Sequence, residues 1–478
     1  MKTIRIDQLM QDSGVVFGTS GTRGLVAQMS DELCLAYTSA FIAVLRHSFR
    51  FSRVALGIDL RPSSPKIAAA CAAGIAQAGL DVDYCGALPT PALALYAQTQ
   101  HIPAIMVTGS HIPFDRNGIK FYRPDGEISK ADELAITAAT VTLTDTPPLA
   151  LPKINSAAIQ QYQQRYLDFF PPNLLKDLHL GLYEHSSVAR DVLRSLLEQL
   201  GARVTGIGRT DTFVPIDTEA VSEDDRRRGE EWSKQYGLDA IISTDGDADR
   251  PLLADEQGHW LRGDIVGLLT SQFLELQQLA VPVNCNTAIE RCGVFPQVTR
   301  TRIGSPYVIA AMQDCDAAKG AIAGFEANGG YLLGSAIHRS GRMLAPLPTR
   351  DAVLPLLAVL SASRTVGKPI SGLIAGLPRR FTGSDRIQNF STVSSQQLLT
   401  SWKRDAGQLI QWLGPEYGQL LSIDDMDGLR LFFTNQEIVH VRASRNAPEI
   451  RCYCEAASVE RAQQLTTRVL ELIQRLNH

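Results

Sequence analysis

Short apolar runs and helix-like segments alternate along the first three quarters of the chain, in three stretches with the same order. The runs that bound these stretches are 54–59 and 101–107, 178–183 and 238–244, and 280–285 and 320–326. A helix predicted at 264–279 opens the third stretch, and another near 351–362 follows it. Apolar strands that alternate with helices predict α/β layers with parallel or mixed sheets.

The last quarter of the chain has a different pattern. Three strand-like runs follow one another closely at 429–435, 437–444 and 449–456, and a helix-like segment comes after them. This order predicts a small separate α+β domain.

Chain length requires more than one core, because 478 residues exceed what a single ordinary core accommodates. The segment 144–153 contains two adjacent prolines and has the composition of a linker. We therefore predict three α/β domains at 1–150, 151–260 and 261–372, followed by the α+β domain at 373–478.

Composition narrows the classes of function. The net charge is −4, and the densest cationic run, at 224–231, is flanked by acidic residues, so we expect a solvated helix face and no nucleic-acid partner. No segment has the roughly 20 apolar residues of a membrane span, and the first residues lack the apolar core of a signal peptide. Eight scattered cysteines without a CxxC pair are typical of reduced, buried thiols. We expect a cytoplasmic protein without membrane contact.

The segment TGSHIPFDRNGIKF, 108–121, places a serine hydroxyl directly after a buried strand. His111 follows Ser110 at once, and Lys120 lies near the end of the segment. Two interpretations fit these residues: a polar loop, or a nucleophile or phosphate carrier with its proton-transfer and charge partners.

A cluster of acidic residues follows the next such strand, in STDGDADRP at 243–251. Asp245, Asp247 and Asp249 place three carboxylates within five residues, and like charge at this density is costly unless a cation lies among it. Oxygen ligands favour a hard ion, and Mg²⁺ fits best where phosphate is also bound. A metal site is therefore favoured over a solvated acidic turn.

An EF-hand is the rival interpretation of this cluster, with Glu256 at its twelfth position. It fails because Arg250 stands at the sixth position, where glycine is needed, and because a strand precedes the loop instead of a helix.

Three further loops carry weaker signals. FGTSGTRG at 17–24 fits an anion-binding loop or an ordinary Gly-rich turn. GFEANGG at 324–330 fits a sugar-binding loop or a plain turn, and RASRNAPEIR at 442–451 fits a phosphate cradle or an exposed basic loop. Taken together, the five segments point to phosphate carried on a polyhydroxylated substrate.

These five segments, in this order, resemble the α-D-phosphohexomutase superfamily, and the resemblance extends from residue 16 to the last helix. It implies three related mixed-sheet α/β domains and a C-terminal α+β domain around a central cleft. The first three carry, in order, a phosphoserine loop, a metal-binding loop and a sugar-recognition loop, and the fourth binds phosphate. It also implies phosphoserine at Ser110, bound Mg²⁺ and a hexose 1,6-bisphosphate as activator.

The resemblance assigns roles residue by residue. Ser110 donates the phosphoryl group, Arg23, His111 and Lys120 surround it, and Lys120 is our choice for the proton shuttle. Mg²⁺ is expected on Ser110, Asp245, Asp247 and Asp249. The expected substrate-binding residues are Thr19, Ser20, Arg250, Thr301, Gly304, Ser305, Glu326, Asn328, Arg442, Ser444, Arg445, Asn446 and Arg451.

Some positions depart from the superfamily's usual motifs. Ile112 replaces the asparagine of T-A/G-S-H-N-P, and Gly330 stands where the sugar loop G-E-x-S-G-H has histidine. The missing histidine strengthens the case for Lys120 as the proton shuttle. The loop after Arg442 keeps Ser444 but not the motif's commonest form.

We expect interconversion of mannose 6-phosphate and mannose 1-phosphate for nucleotide-sugar supply, with activity on glucose phosphates as well. Phosphoglucomutase and phosphoglucosamine mutase activities stay open, because 301–307 is similar to the corresponding segment of the phosphoglucosamine branch. A non-catalytic sugar-phosphate-binding member and a metal-dependent phosphatase of unrelated fold are the alternatives of other classes. The expected partners are small hexose phosphates, and the protein is expected to be a monomer or homodimer.

Overall fold

The computed structural model describes residues 1–18, 21–144, 147–414, 418–444 and 449–476. Its first part holds β1 (Lys2–Arg5), α1 (Ile6–Ser13), β2 (Val16–Phe17), β3 (Gly21–Leu25), α2 (Asp31–Leu45), β4 (Arg53–Ile58), α3 (Ser64–Gln77), β5 (Asp81–Ala87), α4 (Thr90–Gln100), β6 (Ala104–Val107), β7 (Arg116–Arg123), β8 (Gly126–Glu127), α5 (Lys130–Ala138) and β9 (Thr140–Leu143). The second part holds α6 (Ala157–Phe169), β10 (His179–Tyr183), α7 (Arg190–Gln199), β11 (Arg203–Ile207), α8 (Glu223–Tyr236), β12 (Ala240–Thr244) and β13 (Pro251–Ala254).

The third part holds α9 (Gly263–Phe273), β14 (Gln278–Pro282), α10 (Ala288–Arg291), β15 (Gln297–Thr301), α11 (Ser305–Gln313), β16 (Ile322–Phe325), β17 (Tyr331–Leu333), β18 (Ile337–Arg339), β19 (Arg342–Leu344), β20 (Leu347–Asp351), α12 (Val353–Val366) and α13 (Ile370–Ile374). The fourth holds β21 (Phe381–Gln388), α14 (Thr392–Arg404), α15 (Ala406–Leu413), β22 (Leu420–Asp424), β23 (Leu429–Phe433), β24 (Ile438–Ala443), β25 (Glu449–Ala456) and α16 (Val459–Leu476).

Three of the sheets share one arrangement. In each, a central strand (β4, β10 or β14) pairs in parallel with a strand on either side. The later of these two neighbours is followed in the chain by an antiparallel partner: β6 by β7, β12 by β13, and β16 by β17. Ser110, Asp245 and Glu326 each lie in the loop that makes this reversal. The carboxyl ends of parallel strands are the usual place for ligands in such sheets. Equivalent loops of the three sheets therefore contain the predicted phosphoserine, metal-binding and sugar-binding residues.

The fourth sheet is entirely antiparallel in the order β21-β25-β24-β23-β22, and α16 packs on β21 and β25. The predicted mixed α/β and α+β architecture is thus confirmed. The domain boundaries at 150, 260 and 372 stay a prediction.

The helix predicted at 264–279 is too long. Helix α9 ends at Phe273, and β14 begins at Gln278. Glu275 has φ of 57°, a left-handed conformation that a continuing α-helix does not contain. Strands β21 and β22 were not predicted either. Within the described ranges, no helix combines the length and the apolar character needed to cross a membrane.

Candidate active site

Ser110 lies in a strained turn directly after β6. Its φ is 53°, and its side chain is almost wholly buried. The hydroxyl donates to Asp245 Oδ2 at 2.6 Å, and the backbone N–H donates to Thr108 Oγ1 at 2.8 Å. A left-handed conformation costs a residue other than glycine roughly 1–2 kcal/mol, so surrounding contacts must hold the turn.

A buried guanidinium supplies many of those contacts. Arg61 donates from Nη2 to the carbonyl oxygens of Ser110 and Ile112, and from Nη1 to those of Pro113 and Arg116. Its Nε donates to Asp59 at 3.1 Å, which completes the use of all its side-chain N–H groups. The loop after Ser110 therefore wraps around one fully buried cation.

The three predicted metal ligands come together in the loop after β12. One carboxylate oxygen from each of Asp245, Asp247 and Asp249 lies within 4.8 Å of the others, and all three side chains are buried. Burial, followed by the negative charges of Asp247 and Asp249, raises the pKa of Asp245 well above its usual value. Burial acts to raise the pKa of Asp249 too, but the charges of Arg350, Lys120 and Arg250 outweigh it and lower that pKa.

This group fits a divalent cation. Oδ1 of Asp247 and Oδ1 of Asp249 are buried and have no hydrogen-bond partner among the described residues. Buried carboxylate oxygens that lack a partner are costly, and hard cations favour oxygen ligands. Asp245, Asp247 and Asp249 thus form a suitable donor set for Mg²⁺.

Lys120, on β7, faces the same carboxylates. Its Nζ donates to Asp247 Oδ2 at 2.6 Å and to Asp249 Oδ2 at 2.7 Å. Asp245 of the same loop accepts the serine hydroxyl. The acidic loop therefore contacts both Ser110 and Lys120.

His111 is held as a neutral imidazole. Arg250 Nη1 lies 2.9 Å from His111 Nδ1, and Ser110 Oγ lies 3.4 Å from the same nitrogen. A guanidinium only donates, so Nδ1 is the acceptor and the ring proton is on Nε2. Burial, and then the charges of Arg250 and Arg23, lower the pKa of His111 well below its usual value. This ring is therefore an acceptor rather than a cation.

Arginine side chains surround this centre. Burial lowers the pKa of Arg23 to about 10, and the positive charges of Arg250 and Arg350 add to that effect. Arg350 Nη2 lies 2.9 Å from Asp249 Oδ2, and its Nη1 lies 3.3 Å from Glu326 Oε2. These cations suit a site that receives the several negative charges of phosphate groups.

The side chain of Arg350 fills the space beside Gly330, the position where the superfamily's sugar loop has histidine. A Cβ built on Gly330 would lie 2.7 Å from Arg350 Cδ, which is too close for any larger side chain. The aliphatic part of the Arg350 side chain thus occupies the space beside Gly330, and its guanidinium binds Glu326. Asn328 serves the turn itself, because its side-chain oxygen accepts from Gly330 N at 3.0 Å.

The loop 301–305 contacts two other parts of the chain. Ser305 Oγ donates to Glu127 Oε2 at 3.0 Å, and Ile303 N donates to Asp427 Oδ2 at 2.9 Å. Thr301 Oγ1 donates to a neighbouring carbonyl, and Gly304 has φ of 130° where α11 begins. Ser305, expected to bind substrate, is thus engaged by a carboxylate of the first sheet.

The predicted phosphate loop is described in part. Arg442 Nε lies 3.6 Å from Asp427 Oδ1, and Ser444 follows it at the end of β24. Arg451 pairs with Glu449 at 2.6 Å, and its positive charge is among those that lower the pKa of His111. The fourth sheet therefore directs charge toward the reaction centre. Thr19, Ser20, Arg445 and Asn446 lie outside the described residues.

Sequence reasoning missed Arg61, Arg350 and Asp427. Each has a local signal: Asp59-x-Arg61 follows a buried strand, Arg350 precedes Asp351 at a strand end, and Asp427 precedes Gly428 in a turn. None of these signals identifies the partner, which lies far away in sequence.

Two family models match the chain. "Phosphoglucomutase/phosphomannomutase, alpha/beta/alpha domain I" matches residues 14–146, and domain III of the same description matches residues 262–381. The phosphomannomutase of Salmonella muenchen is 49% identical over 97% of both chains. The phosphomannomutase of Sinorhizobium fredii is 45% identical over 96% of this chain and 99% of its own. The phosphoglucosamine mutase of Maricaulis maris is 32% identical over 75% of this chain and 80% of its own.

Solved structures show the same fold at low identity. A phosphoglucomutase/phosphomannomutase family protein from Burkholderia thailandensis has a TM-score of 0.74 and 20% identity, over 96% of this chain and 97% of its own. The Paramecium phosphoglucomutase pp63/parafusin, in an open form, has a TM-score of 0.70 and 15% identity, over 96% and 93%.

Proposed function

Because the chain belongs to the α-D-phosphohexomutase superfamily, we propose that it interconverts mannose 6-phosphate and mannose 1-phosphate. Glucose phosphates are proposed as further substrates. The observation that carries the proposal is the hydrogen bond of 2.6 Å from Ser110 Oγ to Asp245, which joins the predicted phosphate carrier to the predicted metal loop. Relatives named phosphomannomutase, matched over nearly the whole chain, support the choice of sugar.

The proposed reaction has two halves. In the first, the phosphoryl group leaves Ser110 Oγ for the free hydroxyl of the hexose phosphate, and the hydroxyl proton ends on Ser110. The product is a hexose 1,6-bisphosphate. In the second half, the serine takes back the phosphoryl group from the other position, and the proton returns to the sugar oxygen. Atoms and charges balance over the cycle.

Lys120 is proposed to carry that proton between the sugar hydroxyl and Ser110. Its Nζ donates to Asp247 and Asp249 of the loop whose Asp245 accepts the serine hydroxyl, and an acid–base group must lie near the proton that it transfers. Neutral His111 accepts from Arg250 and thereby keeps this cation beside the serine. Mg²⁺, when bound by Asp245, Asp247, Asp249 and the phosphoserine, would supply positive charge to the moving phosphoryl group.

Glu326 is proposed to accept hydrogen bonds from the sugar hydroxyls, with Arg350 fixing its carboxylate. Arg442, Ser444 and Arg451 are proposed to bind the phosphate that does not react. Binding energy from this distant phosphate then helps to position the reacting end. We also propose Thr301, Gly304 and Ser305 as part of the substrate surface, a monomer or homodimer, and a cytoplasmic location.

The test is ³¹P NMR with Mg²⁺ and a trace of glucose 1,6-bisphosphate. Mannose, glucose, glucosamine and N-acetylglucosamine 1-phosphates are supplied separately. We expect a 6-phosphate signal to grow fastest with mannose 1-phosphate, and to be lost in Ser110→Ala. A faster reaction with another sugar would replace the proposed substrate, and release of inorganic phosphate alone would indicate a phosphatase.

Arg442→Ala separates a mutase from a phosphatase. A phosphatase does not need residues that bind the phosphate that does not react. A mutase needs them, because it must bind the bisphosphate in both orientations. We expect a strong loss of 6-phosphate formation in Arg442→Ala. Arg461→Ala is the control and should retain activity. Arg461 lies on α16, and its guanidinium pairs with Glu437. Unchanged turnover in Arg442→Ala would contradict the proposal.

A further inference from the structure

Phe213 lies between the two loops that the reaction must bring together. It is 6% exposed and belongs to the segment between β11 and α8. Its ring centroid lies 3.9 Å from Arg61 Cζ, so the ring face covers the cation around which the Ser110 loop is wrapped. A cation held against an aromatic face in a buried place is stabilised by the ring quadrupole.

The edge of the same ring touches the metal loop. A Cβ built on Gly246 would lie 3.0 Å from Phe213 Cε2 and 3.0 Å from the carbonyl oxygen of Ser110. Gly246 thus fits against both the ring and the serine loop because it has no side chain. Phe213 therefore contacts one loop through Arg61 and the other through Gly246.

We propose that Phe213 is a positioning residue that sets the separation between Ser110 and Asp245–Asp249. The proposal rests on the proposed function only in that Ser110 is taken as the phosphate carrier. Phosphoryl transfer depends on alignment, and displacement of reacting groups by about 1 Å costs on the order of a hundredfold in rate. A ring that spans both loops resists such a displacement.

The first measurement is the rate at which glucose 1,6-bisphosphate phosphorylates unmodified protein at Ser110 with Mg²⁺, followed by intact mass. Phe213→Leu keeps apolar volume but removes the ring face and edge. We expect phosphorylation and kcat to fall about ten- to hundredfold, with KM for the sugar phosphate changed less than about twofold. Phe169→Leu, a change at a buried ring of α6 that packs on Phe170, is the matched control and should keep the wild-type rate.

The second measurement is amide hydrogen exchange of the unphosphorylated proteins, which does not depend on activity. Phe213→Leu should speed exchange in both 109–116 and 245–250, whereas Phe169→Leu should leave these segments protected. Wild-type exchange and phosphorylation rates in Phe213→Leu would overturn the proposal. If the wild-type protein is never phosphorylated but Phe213→Leu still loosens both segments, the proposed function fails and the positioning role stands.

Discussion

Lys120 Nζ lies 2.6 Å from Asp247 Oδ2, so this lysine binds an oxygen of the loop that is proposed to hold Mg²⁺. Lys120 also donates to Asp249 Oδ2 at 2.7 Å. Neither oxygen is fully available to a metal ion while the ammonium is in place. Oδ1 of Asp247 and Oδ1 of Asp249 have no hydrogen-bond partner among the described residues, so the ammonium and a divalent cation would compete for the negative charge of the same two carboxylates.

Replacement of Lys120 by methionine should have opposite effects on metal binding and on catalysis. Removal of the competing ammonium should tighten Mn²⁺ binding to the unphosphorylated protein about tenfold or more, as read by electron paramagnetic resonance. Mutase activity should fall about 10²- to 10⁴-fold, the usual contribution of an acid–base group.

Lys130→Met is the control for this pair of measurements. Lys130 is a surface residue that pairs with Glu133, and its loss should change neither quantity. Weaker metal binding in Lys120→Met would show that the ammonium supports the acidic loop instead of competing with a cation.

Arg350 joins the metal loop to the sugar loop, and a lysine cannot replace it. Its two terminal nitrogens reach Asp249 and Glu326 separately, whereas an ammonium is a single point. Arg350→Lys should lower kcat/KM for the sugar phosphate about ten- to hundredfold, measured by steady-state kinetics. Arg342→Lys alters a guanidinium that binds the carbonyl oxygens of Asp168 and Phe170, and should retain activity. Equal kcat/KM in Arg350→Lys and wild type would refute the bridging role.

Gly330→Ala should reproduce much of the Arg350 defect without touching the arginine. The added Cβ would lie 2.7 Å from Cδ and 2.8 Å from Cγ of Arg350, so the guanidinium must shift from its carboxylates. We expect a lower kcat/KM with little further loss in the double variant Gly330→Ala/Arg350→Lys. Gly372→Ala, where the nearest atom would be 3.4 Å away, is the matched control. Additive losses in the double variant would mean that the two residues act separately.

The contrast between Asp249 and Arg350 shows what the sequence can predict. Asp245, Asp247 and Asp249 adjoin one another in the chain, so their shared chemistry is visible in a single loop. Arg350 meets Asp249 although β20 and the loop after β12 belong to different sheets. Pairing across sheets depends on how separate sheets dock, and no local period records that.

Strands and helices, too, were predicted where the signal is local and missed where it depends on distant pairing or on backbone conformation. The apolar strands β6, β12 and β16 were predicted because burial on both faces leaves a continuous apolar run. Strand β21, by contrast, has the polar sequence FTGSDRIQ and is only partly buried, so its pairing with β25 leaves no alternating pattern. The overlong helix at 264–279 has the same origin, because the reversal at Glu275 depends on backbone conformation rather than on hydrophobic spacing.

His440 should make the fourth sheet sensitive to acid. Burial lowers the pKa of its imidazole to about 4 from 6.5, against the effect of a hydrogen bond with the Asp427 carbonyl. Below pH 6.5 the unfolded chain binds a proton that the folded chain does not take up until about pH 4. The free energy of unfolding is therefore unaffected by this group above pH 6.5 and falls by roughly 3 kcal/mol between pH 6.5 and 4.

The measurement is denaturant unfolding of wild type and His440→Gln from pH 7.5 to 4.5, followed by tryptophan fluorescence. The variant is expected to be less stable at pH 7.5, because a buried ring and its hydrogen bond with the Asp427 carbonyl are lost. Its stability should nevertheless fall less steeply toward acid than that of the wild type, since Gln does not titrate. His47→Gln, at an exposed position shortly after α2, should follow the wild-type slope. Parallel curves for wild type and His440→Gln would show that this histidine is already protonated in the folded protein at neutral pH, or that other groups dominate acid unfolding of this sheet.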